Sequence, residues 1–357
     1  MAPDKTPIWL DCDPGHDDAF AILIAALHPS FDLLGISTIH GNSSLAKVTN
    51  NALSVLTAIG RPDVPVYPGA KKPFMRPAVH APDIHGDSGI DGTTLLPVPA
   101  AKPQSIPAVQ AMRDAIMATA PQTCVLVITG TMTNAALLFA AFPETAVHIK
   151  TVSIMGGAFG RGNITKHAEF NIYCDPESAN SIFTLPALSH KLILSPLDLT
   201  HTVLVTTSVR QTLTSTPSTL RTMFYELLMF FADTYIRVFD MTEGPPLHDP
   251  VAVAAVMDES LGMGFEYDEV EVVVLSHGEE MGRTVKVGDG EGVDFNAHEG
   301  RRQLDKAGDV VAGKGVKVRV GRKLDVGRFW EVVMEVVGRA DERSPLNVGG
   351  AATTTTS

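Results

Sequence analysis

The chain has 357 residues, 45% of them hydrophobic and 19% charged, with 28 Lys and Arg against 40 Asp and Glu for a formal net charge of −12. A chain of this size and composition buries a sizeable core without covalent staples, and it is not a disordered one. The acidic balance and the lack of any sustained Lys/Arg block exclude sequence-independent binding of nucleic acid and point to small molecules or cations as partners. The three cysteines, Cys12, Cys124 and Cys174, are far apart in apolar surroundings and read as reduced core residues. The first residues carry no signal-peptide pattern, and no stretch reaches the roughly 18 apolar residues of a membrane helix, so a cytoplasmic protein with no membrane partner is expected.

In chain order, short apolar runs at residues 8–10, 33–39, 125–128, 151–155 and 192–194 read as strands. Helix-period segments at 18–27, 45–59, 106–118, 134–141 and 176–183 alternate with them. A longer helix follows at 219–239, then short strands at 270–275, 284–287 and 316–320, and a closing helix at 326–337. The alternation predicts an α/β fold: a single domain over residues 1–344 with a mainly parallel, Rossmann-like sheet flanked by helices, plus small C-terminal strands and a closing helix. No GxGxxG follows the first strand, which excludes a nicotinamide fingerprint. Residues 75–103, rich in Pro, Gly and His and without periodicity, read as an active-site loop. A Gly- and charge-rich insertion at 288–314 is expected to be mobile, and the 345–357 tail to be disordered.

The strongest chemical signal is Asp11-Cys12-Asp13-Pro14-Gly15-His16-Asp17-Asp18-Ala19, where a strand ends and a helix begins. Carboxylates this crowded cannot all ionise without a compensating charge, which a bound cation supplies most simply. Helix capping accounts for one or two of them, not for all four. Oxygen ligands suit calcium or magnesium, and no HExxH or Cys pair favours zinc. Further polar clusters sit at other strand ends: His40-Gly41-Asn42, Thr129 to Asn134, Met155-Gly156-Gly157 and Ser195 to Asp198. In an open parallel sheet these ends share one edge, where ligands bind.

Asp11 to Ala19 resembles the signature of the inosine-uridine preferring nucleoside hydrolase family. The agreement continues through His40-Gly41-Asn42, His85-Gly86-Asp87-Ser88-Gly89-Ile90-Asp91-Gly92, Thr129 to Asn134, Met155-Gly156-Gly157, the Glu169-Phe170-Asn171 segment and Leu247-His248-Asp249-Pro250, from about Pro7 to Leu275. The resemblance implies calcium-dependent hydrolysis of the N-glycosidic bond of ribonucleosides, uridine or inosine favoured, by a homodimer or homotetramer. It implies that Asp13, Asp18 and Asp249 hold Ca2+ through carboxylates and Thr133 through its backbone carbonyl, with Asn42 beside the metal. Asp17, Asn163, Glu169 and Asn171 would bind the ribose hydroxyls and Met155 would pack under the sugar. Asp13 is the expected base for a calcium-bound water.

An oxocarbenium-like transition state calls for such a ring of oxygens, and the departing base needs a proton. His248 is the expected acid, titrating near neutral pH. Most of the other histidines read as ordinary surface or core residues; His85, in the long loop, is a candidate ligand contact. Tyr235 and Phe239, four apart on one helix face, are candidate flanks for the base. The chain departs from the family pattern at Thr131, in place of a proline, and at Ala158-Phe159-Gly160, in place of a more Gly-rich run. Two other readings compete. One is a haloacid-dehalogenase-type magnesium phosphatase with Asp11 as nucleophile, which leaves Glu169, Asn171, His248 and Asp249 without a role. The other is a non-catalytic calcium- or nucleoside-binding protein.

Overall fold

A computed structural model describes residues 5–239, 241–287 and 315–348. The strands are β1 (Thr6–Cys12), β2 (Phe31–Thr38), β3 (Val66–Pro68), β4 (Val125–Ile128), β5 (Thr151–Met155), β6 (Leu192–Ser195), β7 (Glu266–Val274), β8 (Thr284–Val287) and β9 (Val316–Lys323). They form one sheet in the order β3-β2-β1-β4-β5-β6-β9-β7-β8. β7 opposes its neighbours on both sides, and all the other pairings are parallel. The single-domain α/β reading therefore holds.

β1, β4, β5 and β6 are continuous apolar runs buried along most or all of their length, as strands covered on both faces must be. The chain first winds outward from β1 to β2 and β3, then returns to β4 on the other side of β1. That reversal opens a crevice beyond the C-terminal ends of β1 and β4, the place where such sheets bind ligands. β3 escaped the sequence reading because it is three residues long and contains two prolines in its vicinity, Pro65 and Pro68.

The helix Asp18–Leu27 is buried at every position, because it lies between the sheet and two further helices, Asp249–Ala255 and Val326–Asp341. The last of these buries Phe329, Trp330, Val333, Val336, Val337 and Ala340, a stripe at helical spacing, and exposes its charged face. Packing Asp18–Leu27 against Asp249–Ala255 brings two chain-distant helix starts, each carrying an aspartate, to the same end of the sheet.

The three cysteines are free and buried. The expected disordered tail begins with a short helix, Pro345–Val348, so order extends past residue 345. Asn347 Nδ2 donates to the Asp341 carbonyl at 3.0 Å, and Leu346 packs on the core, which is why the chain does not leave the surface there. The 288–314 insertion and residues 349–357 lie outside the described residues. Among the described residues no helix is long and apolar enough to cross a membrane.

Phe20 is 1% exposed and its ring lies 4.7 Å from that of Phe224. Phe20→Ala is expected to cost about 3–5 kcal/mol through the cavity it leaves. A urea titration reads this as a lower midpoint with an unchanged slope.

Candidate active site

Asp13, Asp17 and Asp18 follow β1 directly, and Pro14-Gly15 turns the chain so that Asp18 opens the next helix. Glycine is needed on the way: a side chain at Gly15 would run into the His85 ring and the Asn42 amide, and one at Gly41 into the Asp13 carboxylate. One oxygen each from Asp17, Asp18 and Asp249 lie within 4.8 Å of one another, all three buried.

Bracing comes from neutral donors. Asp13 Oδ2 accepts from the Asn42 backbone N–H at 2.7 Å, and Asn42 Nδ2 donates to the Asp13 carbonyl at 3.0 Å and to Asp18 Oδ2 at 3.3 Å. Asp18 also accepts from the Gly15 N–H and the Thr129 hydroxyl. Asp13 Oδ1 is buried with no hydrogen-bond partner. None of the four carboxylates forms an ion pair among the described residues.

The electrostatic result is a set of carboxyls that resist ionisation. Burial and then the Asp18 charge push Asp17 up to about 7, and burial with the same neighbour raises Asp13 well above the usual range. Asp249 is raised by burial and by the charges of Asp17, Asp18 and Asp13. Four buried acids with an orphaned oxygen and no ion-paired cationic side chain among the described residues fit a hard divalent cation; the three whose oxygens converge are Asp17, Asp18 and Asp249.

Asp17 and Asp249 line a cavity of about 700 Å³, and Asp18 is tied to its wall through Asn42 and Thr129. Asp17, Asn42, His85, Met155, Asn163, Glu169, Asn171, Tyr235, His248 and Asp249 all line it. The loop carrying His80 to His85 closes one side. Glu169 caps the helix Phe170–Cys174: its oxygens accept from the N–H groups of Asn171 at 2.8 Å, Ile172 at 3.1 Å and Gly157 at 2.9 Å. Asn163 Oδ1 accepts from the Phe170 N–H, which leaves its amide nitrogen for a ligand. Asn171 Nδ2 donates to the Thr129 carbonyl at 2.9 Å and lies 3.6 Å from Met155 Sδ.

Two expected residues have partners of their own. Thr133 begins the helix Thr133–Ala141, and its hydroxyl donates to Asp175 Oδ2 at 2.6 Å. The threonine at the cavity is Thr129, at the end of β4, whose hydroxyl and carbonyl touch Asp18 and Asn171 respectively. Both threonines stand in the same polar strand exit, and only the register of the turn distinguishes them. His248 also differs from expectation. Burial, and then the neighbouring His201, hold it well below its ordinary value, so it is neutral at neutral pH. Its Nε2 meets Tyr235 Oη at 2.8 Å and its Nδ1 meets Thr200 Oγ1 at 2.7 Å.

The phosphatase reading loses its nucleophile. Asp11 lies off the cavity, with Oδ1 accepting from Ser37 Oγ at 2.5 Å and Asn134 Nδ2 at 2.8 Å. Phe239 ends the long helix Thr219–Phe239, and its side chain lies outside the described part. From the same helix, Phe230, Phe231 and Thr234 line the cavity beside Tyr235 and were missed. Their spacing signals a buried helix face, which in sequence is indistinguishable from ordinary core.

The cavity thus has an acidic end for a hydroxyl-rich, electron-poor group and an aromatic end for a flat ring, which together define a small-molecule hydrolase site of nucleoside-like shape. Comparison with known proteins gives the family: residues 8–331 match the model of the inosine-uridine preferring nucleoside hydrolases, and the chain belongs to that family. It is therefore an enzyme of the N-glycosidase class. A uridine nucleosidase of Saccharomyces cerevisiae is 38% identical over 97% of this chain and 100% of its own length. A pyrimidine-specific ribonucleoside hydrolase, RihA, of Salmonella arizonae is 41% identical over 71% of this chain and 80% of its own. Among solved structures, a purine-preferring ribonucleoside hydrolase from Gardnerella vaginalis superposes with a TM-score of 0.79 at 27% identity, covering 94% of this chain and 99% of that one.

The raised carboxyls set a pH dependence. Between its ordinary 3.8 and about 7, Asp17 in the cation-free fold keeps a proton that the unfolded chain has released, so its contribution to stability is lost as pH rises through this window. A cation displaces that proton, so its affinity grows over the same range. The rise in melting temperature on adding calcium or magnesium to chelated protein is accordingly expected to increase from pH 5 to pH 8.

Proposed function

We propose that the enzyme hydrolyses the N-glycosidic bond of ribonucleosides, uridine foremost, releasing ribose and free base, with calcium as its resident cation. One observation carries this reading: a single cavity joins the buried carboxylates to an aromatic wall ending in the Tyr235–His248 pair. The names of the yeast and Salmonella relatives support uridine and related pyrimidine nucleosides over purines. Calcium is favoured over magnesium because three buried carboxylates converge, a donor set of protein oxygens that suits calcium, whereas magnesium retains several waters and binds through one or two carboxylates. When bound, calcium supplies positive charge that grips vicinal hydroxyls and acidifies a water.

The chain's own residues do the rest. Asp18, Asp249 and Asp13 hold the cation, with the Thr129 carbonyl as a further donor in place of the one expected from Thr133. Asp13, whose Oδ1 has no other partner, takes the proton of the attacking water. Asp17, Asn163, Glu169 and Asn171 orient the ribose, and their oxygens face the positive charge that develops on the sugar as the C–N bond breaks. Met155 underlies the ring. The leaving base is stabilised by the Tyr235–His248 pair. Because His248 is neutral, its Nε2–H donates to Tyr235 Oη and the tyrosine O–H hydrogen-bonds to the departing base, which leaves as the hydrogen-bonded anion and takes its proton from solvent water.

The test is release of free base from uridine, cytidine, inosine and adenosine. Uridine is expected to lead. Asp13→Ala is expected to lower kcat/KM by about 10³-fold, while Asp11→Asn stays within about tenfold of the parent because the Asp11 carboxylate braces Ser37 and Asn134 instead of joining the cluster. Retained activity in Asp13→Ala would overturn its role as base, and no base release from any of the four nucleosides would overturn the substrate reading.

A further inference from the structure

Residues 156–169 connect β5 to the helix Phe170–Cys174 and carry Asn163 and Ile164 to the cavity. Their stretch Ala158-Phe159-Gly160, where the chain departs from the family pattern, has no part in the chemistry above. Side chains from elsewhere hold it in place. Thr284 Oγ1, at the start of β8, accepts from the Ala158 N–H at 2.9 Å and donates to the Ala158 carbonyl at 2.7 Å. The Asp198 carboxylate takes the next two N–H groups, Phe159 at 2.8 Å and Gly160 at 2.9 Å. Where the loop returns, Ala168 forms an antiparallel bridge with Arg283, the neighbour of Thr284. Two adjacent residues at the entry to the edge strand of the sheet thus fasten both ends of one loop.

The inner side of this loop sets two of the ribose-facing groups. Gly157, the neighbour of Ala158, donates its N–H to Glu169 Oε2 at 2.9 Å. Asn163 accepts from the N–H of Phe170, the neighbour of Glu169. Glu169 and Asn163 therefore move with the loop as one unit. Asn171 belongs to the other end of the site, because its amide and the Asp18 carboxylate are both bonded to Thr129. A ribose whose vicinal hydroxyls lie on the cation has one hydroxyl left, on its exocyclic 5′ carbon, and Glu169 with Asn163 are the groups away from the aspartates that can take it. Ala158 and Thr284 are each 2% exposed, so water cannot replace the Thr284 hydroxyl between them.

We propose that Thr284 is a positioning residue for the 5′ end of the substrate: together with Asp198 it fixes the loop, and through Gly157 it sets the Glu169 carboxylate and the Asn163 amide where the 5′-hydroxyl binds. The edge strand of the sheet thus takes part in substrate recognition without touching the substrate. Binding energy gathered at this remote hydroxyl is available to orient the sugar for the reaction at the other end. Valine has nearly the shape of threonine but leaves the Ala158 N–H and carbonyl buried and unpaired, so the loop shifts until they find partners. Serine keeps the hydroxyl. The inference rests on the nucleoside reading above for the identity of the hydroxyl.

The experiment compares kcat/KM for uridine and for 5′-deoxyuridine in the parent, Thr284→Val and Thr284→Ser. Thr284→Val is expected to lower the uridine value about tenfold, the worth of one neutral hydrogen bond, and to leave the 5′-deoxyuridine value within about twofold, because the hydroxyl that the loop serves is missing. Thr284→Ser is expected to stay within about twofold of the parent on both substrates. A merely structural defect lowers both substrates alike, so equal losses in Thr284→Val overturn the proposal, and so does an unchanged uridine value. The calcium-induced rise in melting temperature is expected to match that of the parent in both variants; its loss in Thr284→Val would place the effect at the cation and equally overturn the proposal. Should Thr284→Val fail to fold, Asp198→Ala, at an exposed position, replaces it: the same selective loss on uridine is expected, and equal losses on the two substrates overturn the proposal. A parent enzyme that cleaves neither nucleoside overturns the nucleoside reading and this inference with it, whereas cleavage without the selective loss overturns this inference alone.

Discussion

Four carboxyl groups buried within reach of one another are the constraint on which the rest of the structure depends. Each is raised by desolvation and by the charge of the others, and no lysine or arginine among the described residues pairs with them. Such a cluster is either kept protonated or compensated by a cation. The neighbours are chosen to leave room for that charge rather than to replace it. The Asn42 amide, the Thr129 hydroxyl and the Gly15 N–H hold individual oxygens in place while remaining neutral.

The sheet supplies the convergence. β1 and β4 lie side by side at the chain reversal, so Asp18 and Thr129 meet although 111 positions separate them. Asp249 arrives by another route, through the packing of the Asp249–Ala255 helix on Asp18–Leu27, two helices buried at every position. The aromatic end has a separate origin in the 219–239 helix and the His85 loop. Acidic and aromatic halves of the cavity therefore come mostly from different elements and adjoin at His248-Asp249.

Much of this was legible in the sequence, for identifiable reasons. Continuous apolar runs such as 125–128 and 151–155 mark fully buried parallel strands, and the dense acid cluster after residue 10 has few structural uses. What was not legible depended on register and direction. Thr129 and Thr133 share one short polar segment, and nothing local says which faces the cavity. β3 is too short to show a period. The neutrality of His248 follows from burial beside Tyr235 and His201, contacts that only the folded chain creates. His16 sits in the most informative motif of the chain, yet its partners, Asp91 and His85, come from a loop some seventy residues away.

The central claim is that a cation held by the carboxylate cluster is required to cleave ribonucleosides. The most direct measurement is uridine hydrolysis by exhaustively chelated protein as calcium is returned in substoichiometric steps. The account predicts no base release at the start and a linear recovery that saturates near one calcium per chain. Full activity in protein shown by elemental analysis to contain no divalent metal would contradict it.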